Sequence, residues 1–120
     1  MKSGNNSGRV MVIQLDYRNF FDVISEQERI VIINFVRKTC PHCEKLHHEL
    51  EALSEVEGQE VIFGVVEIDN EAGLSDRYDI VSVPTILFFR RGEIKERLVG
   101  FYSALVIEAN IIKINTGTKW

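Results

Sequence analysis

This 120-residue sequence contains no apolar run near the roughly 20 residues that a membrane-crossing helix needs. It has no basic excess. Fourteen Lys and Arg stand against 18 Asp and Glu, a net charge of −4. That argues against a nucleic-acid partner, whose phosphates demand a basic surface. It has only two cysteines, three positions apart. A structural disulfide framework uses more cysteines at wider spacing, and a structural zinc site needs two further ligands. No Pro/Gly linker, composition shift or internal repeat divides the chain. No secretory leader is evident: Val10-Met11-Val12-Ile13 is shorter than a signal core of about 7–15 residues, and no small-residue cleavage site follows. The expected compartment is the cytoplasm, with a trimmed export signal as the alternative.

What is present is the balance of a soluble globular protein. Hydrophobic residues make up 45% and charged residues 27%. Collagen-like, mucin-like and wholly disordered readings fall away, and the length suits one domain. Residues 1–9 are rich in Gly, Asn and Ser and read as a flexible tail before a domain over 10–120.

Val10–Leu15 reads as a first strand. Asp16 can cap a helix over Tyr17–Glu28 with Phe20, Phe21 and Ile24 on its apolar face. Ile30–Val36 is a nearly continuous β-branched run, the mark of a strand covered on both faces, interrupted only by Asn34. A helix follows the cysteines, with Leu46, Leu50, Leu53 and Val56 at three- and four-residue steps and Gly58 at its end. Val61–Asp69 reads as a buried strand and Ala72–Tyr78 as a short helix. Thr85–Phe89 and Glu93–Val99 form a hairpin around Arg91-Gly92, closed by Gly100. Ser103 can cap a last helix with Leu105, Val106, Ala109 and Ile112 as its buried face, although its β-branched residues are poor helix formers. Phe63, Phe88 and Phe89 are assigned to the core. Tyr102 is assigned to the surface rather than to a groove, Trp120 is left docked or free, and the Glu/Lys alternation of 93–97 is a solvated hairpin face. This order implies an α/β fold with a central mixed sheet and helices on both faces.

Cys40-Pro41-His42-Cys43 falls where a buried strand ends and a helix begins. The thiolate is the form that attacks a disulfide. A helix N-terminus stabilises it with unpaired N–H groups and the positive end of the dipole. Cys40 fits the N-cap, Pro41 the first helical position, and Cys43 lies one turn inside. The spacing lets the sulfurs meet. Cys40 can attack a partner disulfide, and Cys43 can resolve the mixed disulfide. A protonated His42 adds positive charge near Cys40. Cys40 is expected to be partly exposed and Cys43 more buried. The pattern alone also admits a half metal site or two ordinary buried cysteines.

The chain resembles the thioredoxin-fold family from about Val10 to its end. The resemblance rests on Ile33-Asn34-Phe35, Cys40-Pro41-His42-Cys43 and Val66-Glu67-Ile68-Asp69. It continues through Tyr78-Asp79-Ile80, Val83-Pro84-Thr85, Phe89-Arg90-Arg91-Gly92-Glu93 and Val99-Gly100. It implies a cis proline at Pro84 packed beside the cysteines. It also implies backbone hydrogen bonds from Val83 to an extended substrate, with Gly100 bordering the same surface.

Three departures stand out. Thr39-Cys40-Pro41-His42-Cys43 replaces the usual Trp-Cys-Gly-Pro-Cys, and its Pro-His spacer resembles the DsbA-type disulfide oxidases, whose reduced form is stabilised. Asn34 stands where the family has a buried Asp that moves protons at the inner cysteine; an amide can hydrogen-bond but cannot serve as a base. Val65 stands where the family pairs a Lys with that Asp. Losing both partners together avoids a stranded buried charge. The resemblance therefore implies a thiol–disulfide oxidoreductase more oxidising than a typical thioredoxin, with Pro41, His42 and Asn34 tuning the pair. No inserted helical domain of the oxidase kind is present.

Three rivals are weighed. Cys40, Cys43 and His47 have partial metal-ligand spacing, but the fourth ligand is missing and His47 and His48 are assigned to the solvated helix side, so no metal is expected. A glutaredoxin shares Cys-Pro-x-Cys and a similar Ser82-Val83-Pro84, but lacks here that family's Gly-Gly pair after the hairpin. A binding module that uses only the fold would have no need for both cysteines. No bound cofactor is expected. The expected partners are protein disulfides and dithiols and a flavin-linked reductase, acting on a monomer.

Overall fold

In the computed structural model, residues 12–117 are described. The expected tail, the strand start at Val10-Met11, and Trp120 lie outside the described residues. Ile30–Val36 (β2) is buried along all seven residues, so both its faces must be covered and it must sit mid-sheet. It runs parallel to Val61–Glu67 (β3) and antiparallel to Thr85–Arg90 (β4). Val12–Gln14 (β1) lies parallel on the far side of β3, and Glu93–Val99 (β5) antiparallel on the far side of β4. The five-stranded order is β1-β3-β2-β4-β5.

The period of two in β2 splits the core in two. Val31, Ile33 and Phe35 pack with Phe20 and Ile24 of Tyr17–Ile24 (α1) and Leu74 of Ala72–Arg77 (α3). Ile30 and Ile32 pack with Leu46, Leu50 and Leu53 of Pro41–Glu57 (α2) and Ile107 and Ile111 of Ala104–Thr116 (α4). Helices thus cover both faces of a mixed sheet, the expected architecture, and Phe63, Phe88 and Phe89 are core as expected. Gly64 in β3 permits the tightest approach. A Cβ there would fall 2.6 Å from Leu15 Cδ1 and 3.0 Å from Ile33 Cδ1. The β4–β5 turn has positive φ at Arg91 (54°) and Gly92 (79°), the hairpin turn whose twist matches its strands and which glycine tolerates best.

Several boundaries depart from expectation. Helix α1 ends at Ile24 instead of Glu28. The Glu26 carboxylate accepts the N–H groups of Glu28 and Arg29 and the Arg29 guanidinium, which draws the backbone out of the helix. Strand β3 stops at Glu67 instead of Asp69, where Asn70 and Glu71 N–H groups turn back onto the Glu67 carbonyl. Val56 is 72% exposed, turned by helical phase away from the face that Leu46, Leu50 and Leu53 bury. Helix α4 is real, but its buried face is Ile107, Asn110 and Ile111; of the expected face Leu105, Val106 and Ile112 are exposed and Ala109 is half-buried. Apolar residues surround this helix, so their pattern does not fix its rotation. Packing does: Ile107 and Ile111 join the core that α2 shares with the sheet. At the start of α4, Glu49 Oε1 of α2 accepts the Ala104 N–H at 2.7 Å, while the N-cap Ser103 makes no side-chain cap bond. Tyr102 is half-buried against the α2–α4 core rather than a free surface residue. Among the described residues no helix is long and apolar enough to cross a membrane.

Candidate active site

The site forms where β2 hands over to α2. Cys40 has an extended backbone (φ −142°, ψ 100°) and caps α2 with sulfur: its Sγ accepts the Cys43 N–H at 3.2 Å. The Cys40 carbonyl accepts the Glu44 N–H at 3.0 Å. Pro41 takes the first helical position, where a missing N–H costs nothing. Cys40 and Cys43 are joined by a disulfide with Cα atoms 5.2 Å apart. Cys40 is half-buried, Cys43 is 4% exposed, and Pro41 and His42 stand in solvent. The inner sulfur is thus shielded by the helix and the sheet, while the outer one is reachable.

The strand register carries the other candidate residues to this end of the sheet. Phe35, Thr85 and Val99 form one row across β2, β4 and β5. Pro84 and Gly100 lie one residue beyond that row, at the end where β2 leads to Cys40. The Val83–Pro84 peptide is cis. Gly100, at φ 102°, donates its N–H to the Pro84 carbonyl at 2.8 Å. Thr85 Oγ1 donates to the Ser82 carbonyl at 2.6 Å and ties down the preceding loop. Val83 packs on the α1–α3 core, while Val81 is 91% exposed.

Asn34 lies on the α2 face of β2, beside Val65 and Ile86 in the register. It is fully buried, and neither of its amide atoms has a hydrogen-bond partner. An unsatisfied buried polar group costs about 1–3 kcal/mol. Among the described residues no Asp, Glu, His, Lys or Arg is buried, so no ionised group lies beneath the cysteines. Above this region is a surface cavity of about 180 Å³ whose walls include Cys40, Cys43, His47 and Val65.

His47 departs from its expected placement. It is half-buried at the cavity wall, with Nε2 3.1 Å from Glu51 Oε2, whereas His48 is exposed as expected. The physical reason is helical phase: His47 follows Cys43 by four residues and so shares its side of α2. That spacing was the available signal. Among the described residues no group of three His, Cys, Asp or Glu side chains could hold a metal ion.

A mixed sheet of this order, with a joined cysteine pair at the N-terminus of the helix after the central strand, defines a dithiol/disulfide protein on a thioredoxin-like scaffold. The thioredoxin family model matches residues 11–113. The chain belongs to the thioredoxin family. It is 27% identical over 99 residues to mouse mitochondrial thioredoxin; the match covers 82% of this chain and 60% of that protein's length. It is 35% identical over 71 residues to thioredoxin of Chlamydia caviae, covering 59% of this chain and 69% of that one. Among solved structures, chloroplastic thioredoxin z superposes with a TM-score of 0.82 at 23% identity, covering 89% of this chain and 96% of the other. This last likeness concerns the fold.

Proposed function

We propose that the chain is a thiol–disulfide oxidoreductase that exchanges the Cys40–Cys43 disulfide with cysteines of protein substrates. One observation carries the reading: a half-buried sulfur caps α2 and accepts a backbone N–H, with its disulfide partner buried one turn inside. On reduction, the same N–H and the helix dipole favour a Cys40 thiolate. Cys40 attacks, and Cys43 resolves. Val83, Pro84 and Gly100 border the surface on which an extended substrate segment docks. Electrons reach the disulfide from a partner dithiol or a flavin-linked reductase.

The couple is also more oxidising than that of a typical thioredoxin, near −270 mV. Stabilising the reduced form raises the potential, and exposed His42 beside Cys40 supplies positive charge when protonated. Replacement of an acid by Asn34 leaves no buried carboxylate to oppose a thiolate. Insulin reduction and oxidation of reduced ribonuclease test the activity, and equilibration with glutathione tests the potential. Absence of both turnovers overturns the first statement. A potential at or below about −270 mV overturns the second. Turnover that depends on glutathione would instead indicate glutaredoxin chemistry.

A further inference from the structure

We propose that His47 accepts the proton of Cys43 during the resolving step, with Glu51 holding its ring in place. The inference rests on the oxidoreductase reading and extends it to a residue outside the Cys-x-x-Cys segment. The resolving thiol must ionise before it can attack, since the thiolate is the nucleophile. Cys43 is buried, and the interior offers it no base: Val65, which shares its cavity, is apolar, Asn34 beside Val65 in the sheet is an amide, and no carboxylate or imidazole is buried among the described residues. The proton must therefore leave through the cavity that Cys43 shares with His47.

The groups facing that cavity can be compared. Arg37 and Lys38, from the connection after β2, are cations and have no acceptor to offer at neutral pH; Arg37 also pairs with Asp69 at 3.4 Å. Val65 is the contribution of β3. Glu44, from the first turn of α2, is exposed, and a carboxylate is a weaker base than an imidazole. His47 is half-buried on the same side of α2 as Cys43. Glu51 Oε2 lies 3.1 Å from its Nε2 and leaves Nδ1 as the nitrogen able to take a proton. His48 contacts the other oxygen of Glu51 at 3.4 Å and faces solvent.

Cys40 thiolate attacks a substrate disulfide, forms a mixed disulfide and releases one substrate thiolate. Cys43 passes its proton through the cavity to His47, and its thiolate attacks Cys40 Sγ. The Cys40–Cys43 bond forms, the mixed disulfide breaks and the second substrate thiolate leaves. Two electrons pass to the substrate, and the imidazolium returns its proton to solvent.

The test uses the full reduced chain mixed with one equivalent of 5,5′-dithiobis(2-nitrobenzoate), in which the two thionitrobenzoate releases report the Cys40 and Cys43 steps in turn. In His47→Ala the second release is expected to slow roughly 100-fold or more at pH 7, from the lower end of the general acid–base range upward, with the first release within about twofold. Added imidazole should restore the second release. The pH profile of this step in the wild type should differ from that in His47→Gln, while the profile of the first release stays the same in both. Glu51→Gln should slow the second release less than His47→Ala. An unchanged second release with an unchanged pH profile overturns the role of His47 and leaves the oxidoreductase reading standing. A slowed release that imidazole does not restore also overturns it, because a packing defect would behave that way. A wild-type chain that releases no second equivalent overturns both readings.

Discussion

Helices α1 and α2 begin in the same way and end up doing different things. Asp16 and Cys40 both have extended backbones, φ −133° and −142°, and both cap with a side chain. Asp16 closes a full capping box. Its Oδ1 accepts the N–H groups of Arg18 at 2.9 Å and Asn19 at 3.1 Å, and Asn19 Oδ1 accepts the Asp16 N–H at 2.8 Å. Cys40 satisfies one N–H, at 3.2 Å, through a weaker sulfur acceptor. The oxygen cap completes its helix end. The sulfur cap leaves positive potential uncommitted at a group that can gain and lose a bond. On the proposed reading, one helix terminus serves stability in one place and thiolate chemistry in another, and the cap atom decides which.

Replacing the sulfur sharpens that contrast most. Cys40→Ser keeps a good helix cap but removes the attacking atom. Insulin reduction should fall by about 10³-fold or more, while the melting temperature under reducing conditions stays within a few degrees of the reduced wild type. Retained turnover, or a melting loss larger than that of Asp16→Ala, would break the comparison. The next effect concerns charge beside the sulfur. His42→Gly should lower the reduction potential by roughly 30 mV or more, each 30 mV being about 1.4 kcal/mol for this couple. Glutathione equilibration checks it; an unchanged potential would assign the tuning to the helix end alone.

Where the sequence speaks clearly, local chemistry and periodicity agree. The unbroken apolar run of β2 requires a central strand. Cys40-Pro41 matches the first positions of a helix, and Arg91-Gly92 matches a tight hairpin. Where it misleads, contacts that periodicity does not encode decide. Ile107 and Ile111 of α4 turn onto the core they share with α2, and α1 stops short of Glu28 where the Glu26 side chain takes up the Glu28 and Arg29 N–H groups. The candidate site was legible in its cysteines because four adjacent residues carry it. The cavity beside Cys43 was not, since Val65 comes from β3 and His47 from mid-helix. Only their assembly shows that the buried inner cysteine borders a surface cavity.

The oxygen cap should show its worth in stability alone. Asp16→Ala should lower the melting temperature by a few degrees at pH 7 and leave the potential and turnover unchanged. Hydrogen bonds from the Asn19 N–H, then the Arg18 N–H and guanidinium, hold the Asp16 carboxyl below its ordinary 3.8. A depressed acid stabilises the fold above its unfolded value, and that contribution fades as pH falls through the folded one. The gap between Asp16→Ala and wild type should therefore close as melts are taken below about pH 4. A gap that persists there would mean that the side chain acts through packing, not as a charged cap.

The smallest expected effect comes from the opposite end of α2, where charge works against the fold. Glu57 is the last residue of that helix. Partial burial, followed by repulsion from Glu108 and then Glu60, raises its carboxyl above the ordinary 4.5. The negative end of the helix dipole acts in the same direction. A raised acid favours its neutral form in the folded chain, so its penalty is absent at low pH and appears as pH climbs past the unfolded value. Glu57→Gln should accordingly raise the melting temperature by about a degree at pH 7 and give no gain near pH 3. Wild type, Asp16→Ala and Glu57→Gln melted side by side should then show pH effects of opposite sign, Asp16 contributing as its carboxyl ionises and Glu57 costing as its own does. A gain from Glu57→Gln that is equal at both pH values would place the benefit in the amide's packing and remove charge repulsion as the cause.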